Sequence, residues 1–132
     1  MVNVAKVWPD KPNGNGLYLS CTVFFIKDTA RTCVGAVLYM NFDLQWYIME
    51  KHRGKGHLTK ALRDAIMPFI FSDSRKHKRD KQEITIDGDF YKESRRVAES
   101  VGFKQIDMST KTPTKFALKK ADFEKILQKE EF

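Results

Sequence analysis

Between Trp46 and Thr59 the chain reads WYIMEKHRGKGHLT: an apolar run, a short basic stretch with two glycines, and the start of an apolar-periodic segment. That order predicts a strand running into a tight turn that opens directly into a helix. The first N–H groups of a helix lack intrahelical partners and carry the positive end of its dipole, so such a mouth attracts an anion. Gly54 and Gly56 let a phosphate approach the main chain with no Cβ in the way, and Arg53 and Lys55 add charge there. The spacing is neither the GxxxxGK[ST] of a nucleotide-binding loop nor the GxGxxG of a dinucleotide fold. Taken alone, RGKG before a helix fits a structural tight turn equally well. His52 and His57 flank the glycines without metal-ligand spacing, and no metal site is expected.

The charge around this stretch is concentrated. Ten basic residues lie between Lys51 and Lys81 against three acids, an excess that matches the +7 of the whole chain. A local field of that sign gathers phosphates, nucleic acid or acidic protein. With 132 residues, 42% hydrophobic and 31% charged, the chain is expected to form one soluble domain over residues 1–132, which excludes collagen-like, disordered and disulfide-scaffold classes. No apolar run approaches the ~20 residues of a membrane span. The start, MVNVAKVWPD, lacks the apolar core of a signal peptide, so a cytoplasmic location is expected. Cys21 and Cys33 lie in apolar surroundings and read as two reduced core thiols.

The elements that would position the basic turn follow from periodicity. Val2, Val4 and Val7 predict a short strand, and residues 9–16 (PDKPNGNG) a loop. LYLSCTVFFIKD and TCVGAVLYMNF predict a long hairpin turning at residues 28–31, and LQWYIM the next strand. Leu58, Ala61, Leu62, Ala65, Ile66, Phe69 and Ile70 recur at helical steps, with Pro68 expected to kink the helix or mark its last turn. EITID predicts a strand. Tyr91, Ser94, Val97, Ala98 and Val101 predict a second helix closed by Gly102. Short strands are expected at residues 104–108 and 116–118, and Asp122 as the cap of a last amphipathic turn or two. The inferred class is α+β, a hairpin-rich sheet with at least two helices packed on it.

The strand–RGKG–helix segment resembles the coenzyme-binding core of the GCN5-related N-acetyltransferases (GNAT family), whose loop reads (Arg/Gln)-x-x-Gly-x-(Gly/Ala). Arg53 and Gly56 match it, and Leu58 stands where the family prefers Gly or Ala. Ser94-Arg95-Arg96-Val97-Ala98-Glu99-Ser100-Val101-Gly102-Phe103 is similar to the family's Ser-x-x-Leu-Tyr-Glu-Lys-Leu-Gly-Phe helix end. The order of elements agrees over residues 17–118. The resemblance implies a mixed, mostly antiparallel sheet with helices on both faces, splayed between its fourth and fifth strands, with acetyl-CoA in the gap. It further implies a pantetheine arm pairing with main-chain groups near Tyr47, Ile48 and Met49. The pyrophosphate would rest on the amides of Arg53, Gly54, Lys55, Gly56, His57 and Leu58, with help from the Thr59 hydroxyl. The implied activity is acetyl transfer from acetyl-CoA to a primary amine.

The departures are specific. Many relatives carry a tyrosine acid where this chain has Ala98; Tyr91 is the nearest tyrosine and the candidate proton donor, where relatives often have Asn. The position of the usual glutamate base is Phe42, which makes the neighbouring Asp43 the candidate base. Relatives insert two helices between their first two strands, whereas the 9–16 connector is too short for one. An open acceptor face, suited to a protein or polymer, follows, and the positive charge disfavours polycationic acceptors. Two other classes compete. One is an acyl-CoA-binding protein of this fold without efficient turnover. The other is a nucleic-acid module using the basic run from Arg75 to Lys81, which lacks interleaved aromatics.

Overall fold

Apolar side chains alternate along the central hairpin and so gather on one face. In β2 (Cys21–Lys27) and β3 (Cys33–Met40), Phe24 lies opposite Val37 and Ile26 opposite Gly35; Phe24, Ile26, Val37 and Tyr39 are all buried. A computed structural model describes residues 2–7, 14–15, 21–40, 43–72, 80–88, 91–107 and 113–130. The hairpin turns as expected at Asp28, whose Oδ1 accepts the N–H groups of Ala30 and Thr32 at 2.9 Å each. β1 (Val2–Val7) pairs with β2, and β4 (Asp43–Ile48) with β3, giving an antiparallel sheet in the order β1-β2-β3-β4.

A second antiparallel sheet contains β5 (Lys81–Ile86), β6 (Lys104–Gln105) and β7 (Thr114–Lys119) in the order β5-β7-β6. Among the described residues no ladder joins the two sheets. A side chain joins them instead: Asp43 Oδ1 accepts the Leu44 N–H at 3.0 Å and, across the divide, the Thr85 N–H at 2.7 Å. The sheet is therefore split between its fourth and fifth strands.

The helix after the basic turn runs without a break as α1 (His57–Ala61), a π-type turn (Leu62–Ile66) and α2 (Met67–Ser72). The Met67 N–H reaches five residues back to the Leu62 carbonyl. Pro68 has no N–H to give to the preceding turn, and the helix takes up the mismatch in that wider turn and continues to Ser72. Leu62, Ile66, Met67 and Ile70 are fully buried, each worth roughly 1.5–3 kcal/mol. Phe69 meets Phe24 edge-on at 5.4 Å.

α3 (Tyr91–Val101) ends at Gly102, where φ is 116° and a Cβ would stand 2.5 Å from Ile126 Cδ1. Ile126 belongs to α4 (Lys120–Glu130), which begins ahead of Asp122 and places that residue inside its first turn rather than at its cap. Phe103, Phe116, Leu118 and Phe123 carry the same core into the second sheet. The strand expected over 104–108 is described only at Lys104–Gln105.

Cys33 is a free, exposed thiol, contrary to the expected core position, because it opens β3 beside the turn rather than facing the helices. Cys21 lies at the far end of β2, some 20 Å of strand away, which excludes a bridge between them. Phe42, the 9–16 connector apart from Gly14 and Asn15, and residues 75–79 of the basic run lie outside the described residues. Among the described residues no helix is long and apolar enough to cross a membrane, and no metal-ligand cluster occurs.

Asp43→Ala should destabilise the fold by about 1–3 kcal/mol in urea unfolding, because two main-chain donors lose their acceptor. Asp43→Asn keeps an acceptor oxygen and should recover most of that loss; equal losses in the two variants would refute the clip.

Candidate functional site

The turn after β4 is built by two left-handed glycines, Gly54 at φ 75° and Gly56 at φ 79°. A short 3-10 turn over Glu50–His52 leads into it, with the His52 N–H donating to the Met49 carbonyl at 2.8 Å. Gly56 caps α1 with no side-chain hydrogen bond, and its carbonyl accepts the Lys60 N–H at 3.0 Å. The N–H groups of His57, Leu58 and Thr59 thus precede the first intrahelical bond. They open on a cleft of about 360 Å³ between β4, the turn and α3.

The strand wall of the cleft is the edge of β4, lined by Trp46, Tyr47 and Ile48. Met49 donates its N–H to the Val34 carbonyl at 2.8 Å, which fixes the phase of the ladder. Alternation then turns the main-chain groups of Tyr47 toward β3 and those of Trp46 and Ile48 away from it, into the divide. This corrects the expectation for Tyr47 and Met49, whose amides serve the β3 ladder. Strand polarity can be guessed from sequence, but which alternate amides face outward depends on the register with the neighbour.

The Ile48 carbonyl already accepts Arg53 Nε at 2.9 Å, and the Arg53 guanidinium lies 5.5 Å from the centre of the Tyr47 ring. Arg53 therefore folds back on the strand it follows. His52 lines the cleft, and its Nε2 is buried with no hydrogen-bond partner among the described residues. Its ring stands 6.2 Å from that of His57, edge to face. The Asp28 carboxyl is held below its ordinary value chiefly by the Thr32 N–H, with the charges of His52 and His57 acting in the same direction.

Apart from Met49 and Lys55, the residues expected to hold a coenzyme all line this one cleft. The two proton-transfer candidates do not. Tyr91 is half-buried, and its Oη accepts the Thr114 hydroxyl at 2.9 Å, while Asp43 is engaged in the clip. The opposite wall comes from α3, through Glu93, Ser94, Arg96, Val97 and Ser100. Sequence reasoning placed that helix but missed the wall, although 93, 96 and 100 form one helical stripe. Trp46 Nε1 donates to Ser94 Oγ at 3.2 Å and ties the two walls together.

No protein-family model matches the chain, and no curated protein matches it in sequence. Solved structures do match. The microcin C7 self-immunity acetyltransferase MccE, in complex with acetyl-CoA and AMP, aligns at 18% identity and a TM-score of 0.57 over 74% of this chain and 59% of that one. A mutant of the spermidine N-acetyltransferase SpeG from Vibrio cholerae aligns at 14% identity and 0.60 over 78% and 66%. Mutant forms of the spermidine/spermine N-acetyltransferase SpeG from the same organism align at 14% and 0.62 over 81% and 69%. The chain has the GNAT fold. It spans 59% and 66% of the lengths of the first two of these structures.

A Cβ at Gly56 would meet nothing within 4 Å, so the constraint there is backbone conformation, not crowding. Gly56→Val should cost about 1–3 kcal/mol for a β-branched residue at positive φ. It should also abolish stabilisation by coenzyme A in thermal melts; an undiminished coenzyme shift would remove the helix mouth from the site.

Proposed function

We propose that the protein is an acetyl-CoA-dependent N-acetyltransferase that acetylates a primary amine on a protein acceptor. One observation carries this reading: a single cleft joins an outward-facing strand edge, free helix amides beside two left-handed glycines, and an opposing helix. The residues fit the coenzyme. Outward N–H groups of Trp46 and Ile48 and the carbonyl of Trp46 offer an extended amide chain the partners of a missing strand. The amides of His57, Leu58 and Thr59 offer a diphosphate its donors, and the Thr59 hydroxyl lies in the same lining. When bound, acetyl-CoA supplies an activated thioester acyl group. The chain orients it, and the Trp46 and Ile48 N–H groups are donors for charge developing on a carbonyl oxygen along β4.

The charge around the cleft supports a protein acceptor over a polyamine. Arg53 and Arg96 line the cleft against one carboxylate, Glu93, and Lys51 and Lys55 stand exposed on the turn. Those charges repel polyamines, so the similarity to spermidine acetyltransferases does not extend here to their acceptor. A second reading, binding without turnover, is favoured by the engagement of Tyr91 with Thr114 and of Asp43 with Thr85.

Acetyl-CoA should raise the melting temperature by several degrees, and transfer to lysine-containing peptides should exceed transfer to spermidine. Stabilisation with no transfer across an amine panel would favour the binding reading, and no stabilisation would overturn both. Tyr91→Phe should leave the transfer rate and its pH profile unchanged; a lost basic limb would restore Tyr91 as the acid.

A further inference from the structure

We propose that Trp46 sets the length of the acyl group, its indole standing as the end wall of the cleft. The proposal rests on the coenzyme reading above and adds to it a limit on the thioester chain. A diphosphate on the amides of His57, Leu58 and Thr59 leaves the arm to run back along β4, past Ile48 and then Trp46. Trp46 is the earliest β4 residue in the cleft lining, so the thioester end of the arm lies beside it.

Two side-chain bonds close the divide at that end. In line with the strand, Asp43 Oδ1 takes the Thr85 N–H at 2.7 Å and joins β4 to β5. Toward the helices, Trp46 Nε1 donates to Ser94 Oγ at 3.2 Å and carries the indole across from β4 to α3. An indole nitrogen is a donor only, so this bond satisfies the ring and fixes its orientation. Trp46, Ile48 and Val97, one turn beyond Ser94, pack on the core and also line the cleft. The lining is thus apolar where an alkyl group would sit. An acetyl group ends beside the indole, whereas a longer chain has to displace it. A ring packed on the core and tethered at its far edge does not yield easily to added methylenes.

Calorimetry on the full chain tests this with acetyl-CoA and with butyryl-CoA, whose acyl group is two methylenes longer. The readout is the ratio of the two dissociation constants within one variant, so that any general loss of coenzyme affinity cancels. Wild type should bind butyryl-CoA about tenfold more weakly than acetyl-CoA. Trp46→Leu, which keeps an apolar side chain on the core, should bring the two within about twofold. Ser94→Ala leaves the indole in place but untethered, and its ratio should be at least about threefold smaller than that of wild type. A ratio that Trp46→Leu leaves unchanged would overturn the assignment. Where Trp46→Leu does not fold, Ser94→Ala carries the test, and an unmoved ratio there overturns it equally. Wild type that binds neither thioester overturns the coenzyme reading itself; wild type that binds both alike overturns the acyl limit alone.

Discussion

An antiparallel sheet that stops pairing partway leaves a strand edge whose amides still need partners. In this chain that edge is β4. On one side its ladder with β3 is continuous; on the other, the bond from Thr85 to the Asp43 carboxylate takes the place of a ladder, and beyond it the described residues of the two sheets share none. The outward groups of Trp46 and Ile48 are the consequence. Water or one charged side chain can satisfy them, as Arg53 does for the Ile48 carbonyl, or an extended ligand can.

The turn that follows repeats the same logic at the level of a helix. The glycine-rich approach lets the chain reverse into α1 with no side chain over its first amides, so the helix starts uncapped. Uncapped amides and an outward strand edge border one cleft. The opposite wall is held at working distance by the Trp46–Ser94 bond and by the core that Ala98 and Val101 share with Phe116.

Similarity to acetyltransferases at 13–18% identity fixes the architecture and leaves the chemistry to the residues. Of the residues singled out in the sequence, most of those expected around a coenzyme share one cleft. The side chains proposed for proton transfer lie elsewhere, Tyr91 on the Thr114 hydroxyl and Asp43 on the Thr85 N–H.

Most of the strands and helices, and the glycine turn ahead of α1, were legible in the amino-acid sequence. Each of these is a local pattern: alternation in β2 and β3, helical steps from Leu58 to Ile70, positive-φ glycines before an apolar stripe. The helical steps already run past Pro68 to Ile70; what was not legible is the wider turn ahead of it, which packing of Leu62 and Ile66 holds in place. Nor was the fate of Arg53, Tyr91 and Asp43, whose partners lie five, twenty-three and forty-two residues away. Which amides of β4 face outward, that α3 supplies the second wall, and that Arg53 folds back onto the Ile48 carbonyl were settled by the folded structure alone. Hydrogen-bond phase and long-range partners are set by register between distant segments, and spacing along one chain does not encode them locally.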